Sequence, residues 1–241
     1  MWIAAWRLVR LVPHVLHGLW LVKRRFERLT AAEKHDLVQW WSVKTLRILG
    51  ITLKAHGQAV PHGHLLVANH VSWLDIAAVH AVLPQARFVS KADVKHWPVV
   101  GALVEGAGTL FIERSSKRDA LRVVHQTAAA LQAGDCVAVF PEGTTGAGPE
   151  LLPFHANLLQ AAVSTGAPVL PVVLRWHEPG ERFSTAARFI GDTTLAQSLW
   201  AIASARGLGV EVQILASVSP ADQDRRALGE VLRREISARL G

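Results

Sequence analysis

A single cysteine, Cys136, serves all 241 residues, so no intramolecular disulfide can form and a reducing compartment is indicated. Cys136 opens the apolar run Cys136-Val-Ala-Val-Phe140, where a thiol reads as buried and inert rather than as a nucleophile. Also missing is a clean membrane span. The first 22 residues are apolar, but Arg7, Arg10, Pro13, His14 and His17 interrupt them, and a spanning helix needs about 20 largely uncharged residues. A small-residue cleavage site is absent before Lys23-Arg24-Arg25, which argues against a signal peptide. There is no His-Glu-x-x-His helix and no cysteine cluster, so His62, His64 and His70 read as exposed or hydrogen-bonded residues and no metal site is expected. A Gly-x-Ser-x-Gly elbow, internal repeats and low-complexity tracts are absent too.

Acidic residues are scarce at one end. Residues 1–56 hold ten Lys/Arg against three Asp/Glu, whereas the rest holds sixteen of each sign. The net charge of +7 therefore belongs to the N-terminal segment. So do five of the nine tryptophans: Trp2, Trp6, Trp20, Trp40 and Trp41. Tryptophan favours the membrane–water boundary and Lys/Arg favour anionic head groups, so this segment is expected to lie on an anionic membrane surface. The plainer alternative is an amphipathic helix packed on the domain. Nucleic acid is not expected as a partner, because no recognition motif accompanies the basic residues.

Half the residues are apolar, enough for a sizeable core. Thr30-Ala-Ala-Glu33 is a capping-box pattern that starts a second helix ending near Gly50. The chain thus divides into an amphipathic two-helix membrane-anchoring hairpin, 1–49, and a domain over 50–241. In the latter, strands are expected at 51–55, 65–68, 87–90, 108–112, 136–140, 168–175, 187–190 and 210–215. Helices are expected at 74–83, 98–105, 117–133, 155–164, 195–206 and 220–239, the last started by Ser219-Pro220. Strands that alternate with helices define an α/β class with a mixed, largely parallel sheet flanked by helices.

The most informative stretch is Asn69-His70-Val-Ser-Trp-Leu-Asp75, directly after the apolar run Leu65–Ala68. On one continuous helix a spacing of five would separate the two side chains by about 140°. His70 must then sit in the turn leaving the strand, with Asp75 in the first turn of the next helix and pointing back. There the carboxylate can hold one ring nitrogen and leave the other free to take a proton. A hydrolase that uses Ser72 is the competing reading, weakened by the missing elbow. Two later segments, Gly108-Thr-Leu-Phe-Ile-Glu-Arg114 and Phe140-Pro-Glu-Gly-Thr-Thr145, also follow strand patterns, as does Lys91.

In that order, the three motifs and the proline-bounded strand Pro168–Val173 resemble the glycerolipid acyltransferase family, typified by 1-acylglycerol-3-phosphate acyltransferase. The likeness spans about residues 50–190, and it departs at Gly146, where the family often has serine. It implies an O-acyltransferase that moves a fatty acyl group from acyl-CoA or acyl-carrier protein to the free hydroxyl of a lysolipid, with no other cofactor. The first acceptor is 1-acylglycerol 3-phosphate; a lyso-ornithine lipid or another lysophospholipid is second, and a non-catalytic lipid-binding membrane protein is the alternative of a different class. His70 would be the general base and Asp75 its orienting partner. Arg114, Lys91, Glu142, Gly143 and Thr144 would bind the acceptor: Arg114 clamping phosphate, Glu142 accepting from hydroxyls or pairing with Arg114, and Gly143 offering its N–H. Paired acids Glu113 or Asp119 for Arg114, and plain solvation for Lys91, are the structural alternatives. Such an enzyme would sit on the cytoplasmic face of the inner membrane, peripheral or monotopic.

Overall fold

The computed structural model describes residues 2–57, 62–112 and 117–241, and for Lys117 the backbone alone. Eight helices are described: α1 Trp2–Arg24, α2 Ala31–Ile48, α3 Asp75–Val82, α4 Val100–Gly106, α5 Lys117–Gln132, α6 Leu159–Thr165, α7 Leu195–Ser204 and α8 Arg225–Leu240. Seven strands accompany them: β1 Thr52–His56, β2 Leu65–Ala68, β3 Ala86–Lys91, β4 Leu110–Ile112, β5 Cys136–Val139, β6 Val169–His177 and β7 Gly209–Ile214. They form one sheet in the order β1-β7-β6-β2-β5-β3-β4. Every pairing is parallel except β6 with β7.

Alternation along the central strands sends residues to two cores. Leu66 and Ala68 face one side with α1, α2, α3 and α7 residues such as Leu11, Leu46, Val79 and Ile202. Leu65 and Val67 face the other with Leu159 of α6 and Leu228, Leu232 and Ile236 of α8. Both faces of β2 and β5 are buried, as parallel strands require, which is why they read as unbroken apolar runs.

The N-terminal helices join the first core. On α1, Ala4, Leu11, His14, Gly18 and Leu21 turn inward. Gly18 lets the helix approach α2 closely, since a Cβ there would stand 2.4 Å from Trp41 Nε1. Arg7 reaches across to donate to Ala203 O and Ala205 O, at 3.0 and 2.7 Å, and so caps the C-terminus of α7. The opposite stripe of α1 is bare: Trp2, Trp6, Val9, Leu16 and Trp20 are all at least half exposed. No described helix is long and apolar enough to cross a membrane. Thr30 and Glu33 make both capping-box bonds at the start of α2.

Three expected elements differ, the helix expected over 155–164 beginning only at Leu159. Residues 187–190 are not a strand; Phe189 N donates to Val71 O and Phe189 O accepts from Thr145 Oγ1, so two loops take the bonds a ladder would have used. The last helix begins at Arg225 rather than at Pro220. Asp224 caps it, accepting from Arg226 N and Ala227 N, while Asp222 with φ 59° breaks any helix that Pro220 could start.

Candidate active site

β2, β5, β3 and β6 run parallel and side by side, so the segments leaving them meet at one edge, where α/β sheets place their ligands. Asn69 ties the first of these turns to β6: its Nδ2 donates to Leu174 O at 2.9 Å and its Oδ1 accepts from Leu174 N at 2.8 Å. His70 follows. Its backbone N–H donates to Glu142 Oε1 at 2.7 Å, and its carbonyl accepts from Gly146 N at 2.7 Å. The first and third motifs are thus one hydrogen-bonded unit.

His70 Nδ1 lies 2.8 Å from Asp75 Oδ2. Asp75 is the first residue of α3 and fully buried. The same Oδ2 accepts from Val71 N at 2.7 Å and Ser72 N at 2.9 Å, and Oδ1 accepts from Trp176 Nε1 at 2.6 Å. This carboxylate already accepts from two backbone N–H groups and an indole N–H, and as an acceptor it assigns the Nδ1–H tautomer to His70, which leaves the lone pair on Nε2. The imidazole also stacks on Phe140, with ring centroids 4.0 Å apart and planes 8° from parallel. Its orientation is therefore fixed from the edge and from the face.

A cavity of about 520 Å³ opens from His70 into the sheet face covered by the N-terminal helices. Its walls are apolar for most of their extent, with Leu11 and Val15 of α1, Trp41 of α2, Ala77 of α3 and Leu103 of α4. At the dyad end it carries Lys91, Gly143, Thr144 and Thr145. A second hollow of about 640 Å³ at the start of α8, lined by Gln160 and Asp224, is remote from this edge and holds none of the motif residues.

The expected site residues fall into distinct positions. His70 and Asp75 are together, and Lys91, Gly143 and Thr144 line the same cavity. Arg114 lies outside the described residues. Glu142 does not take the acceptor-facing position expected of it. It is 4% exposed and outside the cavity lining, and its Oε1 and Oε2 accept from His70 N and from Leu152 N at 2.8 Å. Burial pushes its carboxyl above the ordinary range, against the pull of those two N–H groups. It braces the turn that carries His70.

Gly143 differs in detail. Its N–H donates to Phe140 O at 3.1 Å to close a turn with φ 72°, so that N–H is already committed within the turn. Ser72 is fully buried and its Oγ accepts from Leu74 N, which removes it as a nucleophile. Gly146 sits tightly, since a Cβ would stand 3.3 Å from Glu142 Oε2. Among the described residues no group of His, Cys, Asp and Glu is arranged to hold a metal ion. Trp176 and Phe140 are the partners that spacing alone did not reveal. The available signal was chemical: a buried tryptophan needs an acceptor for its N–H.

A histidine held by a buried carboxylate at the mouth of an apolar channel, with Ser72 buried beside it, has the geometry to take a proton from a hydroxyl brought by a substrate. The chain belongs to the acyltransferase family: the Acyltransferase family model matches residues 52–175. It is an O-acyltransferase of the glycerolipid type. The 1-acyl-sn-glycerol-3-phosphate acyltransferase of Neisseria gonorrhoeae is 42% identical over 180 residues, covering 74% of this chain and 69% of that one. The lyso-ornithine lipid O-acyltransferase of Pseudomonas aeruginosa is 34% identical over 242 residues, covering 97% and 92%. The crystal structure of the 1-acyl-sn-glycerophosphate acyltransferase PlsC from Thermotoga maritima shares the fold, with a TM-score of 0.68 at 19% identity over 97% of this chain and 96% of that one.

Proposed function

We propose that this protein transfers a fatty acyl group from an acyl thioester, on CoA or on acyl-carrier protein, to the free hydroxyl of 1-acylglycerol 3-phosphate, giving phosphatidic acid. The observation that carries the reading is the dyad at the mouth of a long apolar cavity. His70 Nε2 takes the acceptor's hydroxyl proton as its oxygen attacks the thioester carbonyl. Asp75 holds the ring and stabilises the imidazolium that forms. Collapse of the tetrahedral intermediate breaks the C–S bond, and the proton on Nε2 passes to the thiolate. The thioester is already activated, so no acyl-enzyme is needed. The cavity takes the acyl chain, and Lys91 with Arg114 meets the acceptor's phosphate. The bare stripe of α1 rests in the membrane interface, which brings the mouth to lipid on the cytoplasmic face.

A lyso-ornithine lipid is the second acceptor. It is favoured by the Pseudomonas aeruginosa relative, whose sequence aligns over nearly the whole chain. Purified protein with an acyl thioester and each lysolipid, followed by thiol release, separates the two. His70→Ala should lower transfer by about 10²–10⁴-fold, the usual worth of a general base, without altering the fold. Near wild-type turnover in that variant would remove His70 from the mechanism.

A further inference from the structure

One polar ring interrupts the apolar cavity well away from the dyad. His80 of α3 is 6% exposed and lines it. A ladder of rings joins it to the site: His70 stacks on Phe140 at 4.0 Å, Phe140 on Phe88 at 5.4 Å, and His80 meets Phe88 edge-on at 5.1 Å. All four rings line the same cavity. His80 thus stands within about 15 Å of His70, which is at most roughly eleven carbons of extended chain at about 1.3 Å of rise each.

His80 Nε2 is 2.9 Å from Ala86 O, and a carbonyl only accepts. The proton is therefore on Nε2, and Nδ1 is a bare acceptor with no protein partner among the described residues. Burial pushes this histidine down to about 4, so it stays neutral and cannot attract an anion at ordinary pH. A purely structural role, fastening α3 to the start of β3, accounts for Nε2 and leaves Nδ1 without one. Thr45, another polar wall residue, is already committed: its Oγ1 donates to Trp41 O at 2.9 Å and lies 3.1 Å from His14 Nε2. Ser42, Ser90 and Thr109 also line the cavity.

We propose that His80 is a specificity-determining residue for the acyl chain, its Nδ1 accepting a hydrogen bond from a hydroxyl carried in mid-chain. The ligand class is a fatty acyl group hydroxylated at the carbon that comes opposite His80. The proposal rests on the reading that this cavity holds the acyl chain. Where the wall is aliphatic, as at Leu11, Val15 and Ala77, a chain hydroxyl loses its water without replacement, which is unfavourable. Opposite Nδ1 it is satisfied.

The test is a positional scan. Acyl-CoA donors of one length, unsubstituted or bearing one hydroxyl at successive carbons from 3 to 14, are compared by kcat/KM with 1-acylglycerol 3-phosphate. A single maximum is expected at or before about carbon 11, at least roughly fivefold above its neighbours, the worth of one net hydrogen bond. His80→Phe keeps an aromatic ring against Phe88 and should abolish that maximum, read as the ratio of hydroxylated to unsubstituted donor. A maximum that survives in His80→Phe would assign the recognition to the wall hydroxyls and overturn the proposal. So would a profile without a maximum in the wild-type protein, a result that needs no variant to fold. Transfer of the unsubstituted donor is the control: its absence would instead remove the reading of the cavity as an acyl-chain site.

Discussion

The hydrogen bonds of two side chains, Asp75 and Glu142, hold His70 in place. They do different work. Asp75 holds the imidazole itself, whereas Glu142 holds the backbone from which the imidazole hangs. Glu142→Gln is informative because it keeps the shape and exchanges one acceptor for a donor, which would then face His70 N–H or Leu152 N–H. The expected cost is about 1–3 kcal/mol of stability for the unsatisfied group, with kcat reduced more than acceptor KM. Urea unfolding and steady-state kinetics on the same preparation check it. A raised acceptor KM with unchanged stability would mean that Glu142 touches substrate after all. His80 sets an acid limit. Its pKa of about 4 in the fold lies below the 6.5 of an unfolded histidine, so the unfolded chain takes up its proton first. The stability this provides is complete above pH 6.5 and lost as the pH falls through 4, a swing on the order of 3 kcal/mol. His14, also pushed down by burial, adds to the loss, while Glu142, pushed up, works against it. Unfolding free energies at pH 7, 5.5 and 4.5 should therefore fall more steeply for wild type than for His80→Phe.

At the level of elements, periodicity and caps made most of the architecture readable. β2 was legible to the residue because four consecutive apolar positions bounded by polar residues suit a strand buried on both faces, and the Thr30 capping box marked the start of α2. The dyad was legible for a geometric reason: a spacing of five is useless on one helix and useful across a strand–helix turn. What could not be read were the pairings set by tertiary neighbours. Trp176 is 101 residues from Asp75, and only the β2–β6 pairing brings them together. Glu142 looked like a substrate ligand because it follows a strand, yet Leu152 and the His70 turn close over it. Nor does a helical pattern say what its inner face packs on. Leu11, Leu21, Leu46, Ile48 and Leu49 are buried and belong to the N-terminal hairpin or its last turn. Five such side chains are worth roughly 1.5–3 kcal/mol each, which together rivals the 5–15 kcal/mol that stabilises a typical domain. A chain that begins at Gly50 should therefore bind a hydrophobic dye and lack near-UV dichroism, instead of being a tidy soluble catalytic domain. A cooperative melt in that truncated chain would show the hairpin to be detachable.

Across the whole molecule, the distribution of charge and the bare stripe of α1 select the same side. Trp2, Trp6, Val9, Leu16 and Trp20 recur at intervals of three, four and seven, which keeps them on one line of the helix, while Leu11, Gly18 and Leu21 on its inward side wall the cavity. One helix thickness thus separates the proposed acyl site from the proposed membrane. The exposed run Lys23, Arg24 and Arg25 closes that helix, and the remainder beyond residue 56 carries no net charge to compete with it. Each basic residue near an anionic surface contributes about 1 kcal/mol before screening. Reversing all three to glutamate should lower partition onto vesicles rich in anionic lipid by about a hundredfold or more. None of the three lines the cavity, so the thermal melt should barely move. Binding to purely zwitterionic vesicles, driven by the tryptophan stripe, should change little, whereas Trp2→Ala with Trp6→Ala should weaken binding to both kinds. Vesicle flotation of the three proteins at fixed salt reads all of these outcomes. Undiminished flotation of the charge-reversed protein with anionic vesicles would place the membrane on another surface and leave α1 as a wall of the core alone.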